Sequence, residues 1–259
     1  MTGALGNHIT VERLEHQVKR IACRSGFRSN RHIGQGRLSW PKHLGRWMLV
    51  GVIGFYGMCS LSFLYLRWFP PLTTSVQIQR RLESVFAGEK YRKQYDFMRL
   101  TEISEHLVHA AIASEDARFY DHSGIDWIEL QTVVTSAWRQ GELQRGGSTI
   151  TQQLVKNLFL TAYRSVFRKG LEFTLAPLAE LFLSKRRIIE LYLNVIEWGP
   201  GVYGAEAAAR FYYEASARHL NREQAARLVA CLPSPLTREP EEMDRRSAQI
   251  VARMREMGW

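Results

Sequence analysis

Cysteine is scarce in this 259-residue sequence: Cys23, Cys59 and Cys231 lie far apart. Their spacing matches no set of zinc or iron–sulfur ligands. The sequence also lacks internal repeats and convincing runs of alternating apolar and polar residues. These absences argue against a cysteine-ligated metal site, a repeat protein and a strand-rich fold.

Acidic residues are few near the N-terminus, and this segment carries most of the net positive charge of the chain. The net charge is +10, which could indicate binding to nucleic acid, acidic lipid or an anionic substrate. Residues 1–46 hold 9 Lys or Arg and 2 Asp or Glu, a local charge of +7, whereas residues 47–259 carry +3. With 46% hydrophobic and 23% charged residues, the chain is not typical of disordered proteins.

The longest apolar run extends from Trp47 to Leu66 without a charged residue. Twenty helical residues span about 30 Å, the thickness of the hydrocarbon core of a bilayer. A buried core helix of this length without a charge is unusual. A cleaved signal peptide is the closer alternative, but LRWFPPLTT offers no small-x-small cleavage site, and Met58 precedes Cys59 where a lipoprotein signal needs a small residue. We therefore predict an uncleaved membrane anchor at residues 47–67.

The charge on the two sides of this run predicts its orientation. Under the positive-inside rule, the basic residues 1–46 form a cytoplasmic tail and residues 67–259 lie outside. A basic tail beside a span also contacts anionic lipid, which makes nucleic-acid binding unnecessary as an explanation. Cys231 would then be alone outside and without an intrachain disulfide partner.

The outer part is predicted to be mainly α. Residues 68–95 read as a membrane-proximal linker with a short amphipathic element, and residues 241–259 as a C-terminal helix. Between them, helix starts are predicted at capping residues. The predicted caps are Ser104, Asp126, Ser148 or Thr149, and Asn221 with Gln224; Gly141 and Pro233 are predicted stops, and residues 164–183 and 184–196 two further helices.

Two adjacent carboxylates, Glu115 and Asp116, follow a helix of small residues. They can form a helix-end ion pair with Arg118, an interaction that usually contributes little. Alternatively, one of them stands at a cleft wall, where partial desolvation suits a general base. The residues alone slightly favour the ion pair, and His122 reads as a packed or hydrogen-bonded histidine.

A second candidate is the stretch RGGSTITQQ at residues 145–153. A glycine turn before a helix N-terminus can hold an anion such as phosphate, although an ordinary capped loop has the same pattern. Gln152, Gln153, Lys156 and Asn157 form one polar stripe, whose amides and single cation suit contact with sugar and phosphate.

A third candidate groups Arg164, Arg168 and Lys169 near Glu172. It is either a surface ion-pair cluster or a site that pairs cations with a diphosphate and places an acid nearby. The stretches at residues 185–194 and 201–209 read as structural support, and Glu206 within the second needs a partner if buried.

In their order, five blocks resemble the glycosyltransferase domain of peptidoglycan synthases, a lysozyme-like group of membrane-bound glycan polymerases. They are SEDARFYDHSGID (114–126), RGGSTITQQLVKNLFL (145–160), RKGLE (168–172), KRRIIELYLN (185–194) and GVYGAEAAARFYY (201–213). The resemblance implies a mainly α, lysozyme-like domain at about residues 96–240, preceded by a single transmembrane helix. A transpeptidase domain would need an S-x-x-K nucleophile and a K-T-G; only Ser39–Lys42 fits the first, on the wrong side of the membrane, so the monofunctional form is expected.

By this resemblance, Glu115 is the catalytic base of an inverting transfer that polymerises lipid II and releases undecaprenyl diphosphate. Glu172 matches the second catalytic acid. The implied substrate-binding residues are Asp116, Gly147, Ser148, Gln152, Gln153, Lys156, Asn157, Arg164 and Lys169, of which Lys156, Arg164 and Lys169 contact diphosphate.

The resemblance implies partners and a location as well. Lipid II, the growing glycan strand and the membrane are expected partners, together with cell-wall synthesis and division proteins, but no nucleic acid. The expected location is the bacterial inner membrane, with the N-terminus cytoplasmic and the catalytic domain periplasmic. Members often use Mg²⁺ or Mn²⁺; the sequence shows no dedicated ligand set, so a metal would bind through the substrate diphosphate, and no organic cofactor is expected.

Two alternatives to the polymerase are a lytic enzyme that cleaves glycan strands on the same general fold and a non-enzymatic membrane adaptor. A lytic site acts on a neutral bond and has no need for the cations Lys156, Arg164 and Lys169. An adaptor has no need for two acids beside a cationic, amide-rich face.

Overall fold

A computed structural model describes residues 42–140, 147–163 and 165–259, and it is mainly α, as predicted. The chain divides into two units, Met1–Leu49 and Val50–Trp259, and every element below except the first helix lies wholly in the second. The helices are α1 (Lys42–Leu66), α2 (Ser75–Ala87), α3 (Glu105–Glu115), α4 (Trp127–Gln140), α5 (Ile150–Phe159), α6 (Val166–Phe182), α7 (Lys185–Val195), α8 (Ala205–Tyr213), α9 (Arg222–Cys231) and α10 (Asp244–Glu256). Short 3-10 turns lie at Leu100–Glu102, Ala217–His219 and Pro240–Glu242.

Helix α1 contains the predicted apolar run. Its segment Leu44–Leu66 has a mean hydropathy of 1.8 and is long and apolar enough to cross a membrane. Most of its side chains are exposed, whereas Cys59 and Phe63 near its end are fully buried. Phe63 contacts Phe159 of α5 edge-on, so the end of α1 packs on the helices that follow.

Two groups of helices form the core. Helix α9 packs on α3 and α10, and α3 and α10 also contact each other. Helix α5 packs on α6 and α7. The small residues of α3 allow this close approach, since its alanines at 110, 111 and 113 are at most 1% exposed. The catalytic candidates of α3 and α5 are therefore held by buried, close-packed helices.

Most of the predicted caps are confirmed. Asp126 Oδ1 accepts from the backbone N–H of Ile128 and Glu129. Thr149 with Gln152, and Asn221 with Gln224, form complete capping boxes. The prediction for Ser104 is wrong in its chemistry: Ser104 stands at the N-cap position of α3, but its hydroxyl donates to the carbonyl of Leu220, 2.7 Å away. Gly141 lies outside the described residues.

A small three-stranded sheet is the element that the sequence did not predict. Strands β1 (Gln94–Tyr95), β2 (Glu197–Gly199) and β3 (Val202–Tyr203) are ordered β1-β3-β2; β1 is parallel and β2 antiparallel to β3. With two or three residues each, the strands are too short to show alternation. Next to them, buried Asn194 accepts from the N–H of Met98 and donates to its carbonyl, both at 2.8 Å.

Helix α2 is the amphipathic element predicted within residues 68–95. Its polar residues form hydrogen bonds with the end of α5 and the loop that follows. Ser75 Oγ donates to the carbonyl of Leu158, and Gln79 Oε1 accepts from the N–H of Ala162, each at 2.8 Å. Tyr163 donates to Glu83 at 2.8 Å. The loop after α5 is thus bound to α2 by side-chain contacts.

Candidate active site

A cavity of about 390 Å³ lies where the C-terminal end of α3 meets the loop before α5. It is lined by Ala113, Ser114, Glu115, Asp116, Ala117, Arg118, Asp126, Glu129, Val133, Gly147, Ser148, Thr149 and Arg253. Residues of the first and second sequence blocks therefore line one cavity together. Its lining includes acidic, basic and hydroxyl groups, which suits a polar substrate.

Glu115, the last residue of α3, is partly buried, and neutral donors orient its carboxylate. Gln153 Nε2 donates to Oε2 at 2.9 Å, and Ser114 Oγ donates to Oε1 at 3.2 Å. Arg118 does not pair with Glu115; its Nε lies 3.1 Å from Asp126 Oδ2. The simple helix-end ion pair is therefore wrong for Glu115, which keeps acceptor capacity for a substrate hydroxyl.

Asp116 connects the two blocks of the cavity. It is 7% exposed, and its carboxylate accepts from His122 Nε2 at 2.9 Å and from the N–H of Ile150 at 2.9 Å. Thr149 adds a second link, donating to the carbonyl of Gly124 at 2.6 Å. A Cβ at Gly124 would lie 2.7 Å from backbone of α6, and φ is +90°, so only glycine fits this close approach.

Cations gather around Glu172 of α6, next to the cavity. Glu172 of α6, which is 3% exposed, accepts from Arg168 at 2.5 Å and from Lys169 Nζ at 2.9 Å. Lys169 also donates to Ser148 Oγ at 2.7 Å, which links this group to the cavity wall. A buried carboxylate with two cationic partners is fully compensated, and the group keeps one net positive charge.

Lys156 on α5 interacts electrostatically with both acids. Its pKa lies below the ordinary value because of burial, an effect that Glu172 and Glu115 oppose and Arg168 and Lys169 reinforce. Among the described residues, its ammonium group makes no ion pair within 4.0 Å. A partly desolvated cation without a direct partner favours an anionic ligand.

The comparison with known protein families decides the identity of the fold. A family model described as transglycosylase matches residues 81–255, well over half of the chain. The chain belongs to the transglycosylase family. The matched region starts in α2 and ends in α10, and it includes the cavity, the cation group and the small sheet.

Named relatives agree with this family and extend over most of the chain. The biosynthetic peptidoglycan transglycosylase of Dechloromonas aromatica (strain RCB) is 42% identical, covering 82% of this chain and 97% of the relative. Proteins of the same name from Pseudomonas entomophila (strain L48) and Chromohalobacter salexigens are 45% and 40% identical. They cover 76% and 85% of this chain, and 80% and 95% of their own length.

Within this transglycosylase, the predicted site residues that the structure describes fall into three groups. Glu115, Asp116, Gly147 and Ser148 line the cavity, and Gln153, Lys156, Lys169 and Glu172 contact that set or interact with it electrostatically. Arg164 lies outside the described residues. Gln152 and Asn157 bind within their own helix: Gln152 Oε1 accepts from the N–H of Thr149, and Asn157 Nδ2 donates to the carbonyl of Gln153.

Asp116, His122 and Asp126 are the one group in the described part of the chain whose ligand atoms could hold a metal ion, all within 4.8 Å of one another. Protein donors already occupy these oxygens, because Asp116 binds His122 and Ile150 while Asp126 pairs with Arg118 and caps α4. A cation here would have to displace them. The cluster does not fit a resident Mg²⁺ or Mn²⁺; its hydrogen bonds and ion pair connect the loops around the cavity.

Tyr192 and Arg253 are candidate site residues that the sequence did not predict. Tyr192, in a block that read as structural support, is fully buried and donates to Gln153 Oε1 at 3.1 Å. Arg253 of α10 lies after the last recognised block yet lines the cavity with Glu115. A long-range contact of either kind has no signal in the local sequence. Glu206, by contrast, is buried and paired with Arg210 at 2.7 Å, as its position required.

Proposed function

We propose that this transglycosylase polymerises lipid II into linear glycan strands by inverting transfer and releases undecaprenyl diphosphate. Glycosyl transfer in peptidoglycan synthesis follows from the family, and the finer statement rests on the site. The observation that carries it is a partly buried carboxylate, Glu115, oriented by Gln153 and facing a cation group at Lys156 and Lys169. A base on one side and cations on the other match a hydroxyl nucleophile and a diphosphate leaving group.

In the proposed reaction, the Glu115 carboxylate takes the proton from the 4-hydroxyl of the acceptor disaccharide. The oxygen forms a bond to the anomeric carbon at the reducing end of the strand, while the bond from that carbon to the diphosphate breaks and its electron pair leaves with the diphosphate. Attack from the opposite face converts an α-linked donor into a β-linked product. Glu115 then returns its proton to solvent.

Lys156 and Lys169 are proposed to stabilise the charge that develops on the leaving diphosphate, together with Arg164. Glu172 acts as a positioning residue, because it binds Arg168 and Lys169 and fixes where their charges point. Mg²⁺ or Mn²⁺, where used, is proposed to bind through the substrate diphosphate and to neutralise part of its charge.

We also propose that α1 anchors the chain in the inner membrane, with the tail cytoplasmic and the enzyme domain periplasmic. The length and apolar character of Leu44–Leu66 and the +7 charge of residues 1–46 support this arrangement. A lipid-linked substrate remains in the bilayer, so an anchored enzyme meets it at the membrane surface.

The test is a product analysis with the detergent-solubilised full chain, lipid II and Mg²⁺. The expected products are β-linked strands, with one undecaprenyl diphosphate released for each bond formed. A parallel reaction supplies preformed strands without lipid II, and these should keep their length. Shortening of those strands without polymerisation of lipid II would instead establish the lytic reaction.

A further inference from the structure

Three arginines of the C-terminal segment, Arg238, Arg246 and Arg253, form a second cationic group beside the cavity. Arg253 lines the cavity with Glu115. Arg246 and Arg253 are seven residues apart on α10, and therefore lie on one helix face about 10 Å apart. Ile250, between them, is 3% exposed, so both arginines flank the buried face with which α10 packs on α3 and α9. Arg246 is partly buried and Arg253 exposed.

The charges in this group are not compensated by neighbouring carboxylates. The pKa of Arg246 lies below its ordinary value because of burial and the like charges of Arg238 and Arg253, against the attraction of Glu115. Within the described residues, Arg246 and Arg253 have no carboxylate within 4.0 Å, whereas Asp244 of the same helix pairs with Arg227. Clustered guanidinium groups at a cavity edge attract an anionic ligand.

Glu115 connects this arginine group with the cations of α5 and α6. The charged side chains that shift the pKa of Lys156 are Glu172, Arg168, Glu115 and Lys169. The charged side chains that shift the pKa of Arg246 are Arg238, Glu115 and Arg253. Glu115 is the member that both sets share, so the carboxylate interacts electrostatically with both cation groups.

We propose that Arg246 and Arg253 bind the diphosphate of the acceptor lipid II during glycan transfer. This assignment rests on the proposed function, in which two diphosphate-bearing molecules meet at Glu115. The donor loses its diphosphate, and the cations around Lys156 and Lys169 serve that leaving group. The acceptor keeps its diphosphate while its 4-hydroxyl reacts, and it therefore needs a second anion site.

Diphosphate fits this group better than a single carboxylate would. Two arginine side chains that extend from one face of α10 present several N–H donors, and each can bind phosphate oxygens in a bidentate manner. Arg238 adds a third charge, although its side chain also donates to the carbonyl of Ala230 at 3.1 Å. The carboxylates of the peptide carried by the disaccharide are the competing anions, and the acceptor series below separates the two.

The experiment measures strand elongation by the full-length, detergent-solubilised protein. Preformed lipid-linked strands serve as donor at a fixed concentration, and the acceptor is varied, either as lipid II or as its monophosphate analogue. The variants are Arg246→Gln and Arg253→Gln. Arg255→Gln is the matched control, since Arg255 is exposed and lies two residues further along α10, on the opposite side from Arg253.

Each of the two variants should raise the KM for lipid II as acceptor about tenfold, the effect of losing one charge-assisted contact, and leave kcat and the KM for donor nearly unchanged. The loss on changing from diphosphate to monophosphate acceptor should be smaller in the variants than in the wild type. Arg253→Lys should restore part of the affinity. Because Arg253 is exposed, its variants should keep the wild-type unfolding midpoint. If Arg246→Gln unfolds, the Arg253 variants alone test whether the arginine group binds the acceptor.

Several results would overturn the assignment. One is that both variants match Arg255→Gln; another is that kcat falls while the acceptor KM stays constant. Equal phosphate discrimination in variants and wild type, despite a raised KM, would assign the arginines to the peptide carboxylates instead. A wild-type protein that does not elongate strands would contradict the proposed function itself. That result is distinct from a failure of the arginine assignment, which shows only in the comparison of variants with an active wild type.

Discussion

The side-chain amide of Gln153 donates to the Glu115 carboxylate at 2.9 Å and thereby connects α5 to the end of α3. The other end of the same amide accepts from the hydroxyl of buried Tyr192 at 3.1 Å. The three side chains form a chain of hydrogen bonds from the core to the cavity wall. Such support fixes the position of a general base through neutral donors, without a direct ion pair to the carboxylate.

Gln153→Ala should reduce kcat about tenfold to hundredfold, because a hydrogen bond to a charged group contributes about 1.5–3 kcal/mol and its loss frees the Glu115 side chain. The measurement is the rate of strand formation at saturating lipid II. Gln249→Ala, at an exposed position of α10, is the control and should retain the wild-type rate. Equal rates for the two variants would contradict an orienting role for Gln153.

Tyr192→Phe should reduce kcat roughly fivefold, less than Gln153→Ala, because a neutral hydrogen bond contributes about 1 kcal/mol and Glu115 keeps its direct partner. Burial raises the pKa of Tyr192 well above its ordinary value, so the hydroxyl stays protonated and the variant should not change the pH profile near neutrality. Tyr213→Phe removes a hydrogen bond to the carbonyl of Gln224, and neither residue lines the cavity. It should affect only the unfolding midpoint.

Lys156→Met should abolish most polymerisation yet raise the free energy of unfolding at pH 7. The reason is that burial lowers the pKa of Lys156, so its protonation is less favourable in the folded than in the unfolded chain. Between the lowered folded pKa and 10.5 the unfolded chain holds more protons, and wild-type stability therefore rises with pH through that window. Unfolding midpoints at increasing pH should show the advantage of the variant shrinking there. Lys90→Met, at an exposed position, should change neither property.

Glu206→Gln should lower the free energy of unfolding by about 2 kcal/mol at neutral pH, since the carboxylate accepts from Arg210, Ser216 and the N–H of Ala217. Burial alone would raise the Glu206 pKa, but these hydrogen bonds lower it overall. Its stabilising contribution is therefore present above the unfolded pKa and is lost as the pH falls through the folded pKa. Denaturant unfolding should show the two proteins converging in acid, while exposed Glu241→Gln matches the wild type throughout.

The sequence predicted those parts of the fold whose signals are local. Capping at Asp126, Thr149 and Asn221 depends on residues within one helical turn, and the apolar run of α1 is continuous. Ser104 has the same local pattern, but the nearby carbonyl of Leu220 takes its hydroxyl. The short strands depend on pairing between distant segments and leave no periodic pattern.

The candidate site also contains residues that local motifs predicted and residues that only the tertiary structure reveals. The ordered blocks predicted Glu115, Lys156, Lys169 and Glu172 as site residues from a resemblance to a family motif, and their roles stay predictions. The structure adds their geometry: Glu115 lines the cavity, and Lys169 binds both Glu172 and the cavity-lining Ser148. The partners that complete the site, such as Tyr192, come from helices packed against α3 and α5 and required the tertiary structure. Gln152 shows the converse: its place in a motif suggested the cavity, but its local capping contact with Thr149 determines its orientation.

The assignment of Glu115 as general base is tested most directly by comparing lipid II polymerisation by the wild type, Glu115→Gln and Glu105→Gln. The last two remove one carboxylate each from the two ends of the same helix. We predict that Glu115→Gln loses activity by at least about a hundredfold, within the range of general base catalysis, while keeping its unfolding midpoint, and that Glu105→Gln polymerises at the wild-type rate. Wild-type activity in Glu115→Gln would contradict the mechanism and move the base elsewhere, first to Glu172.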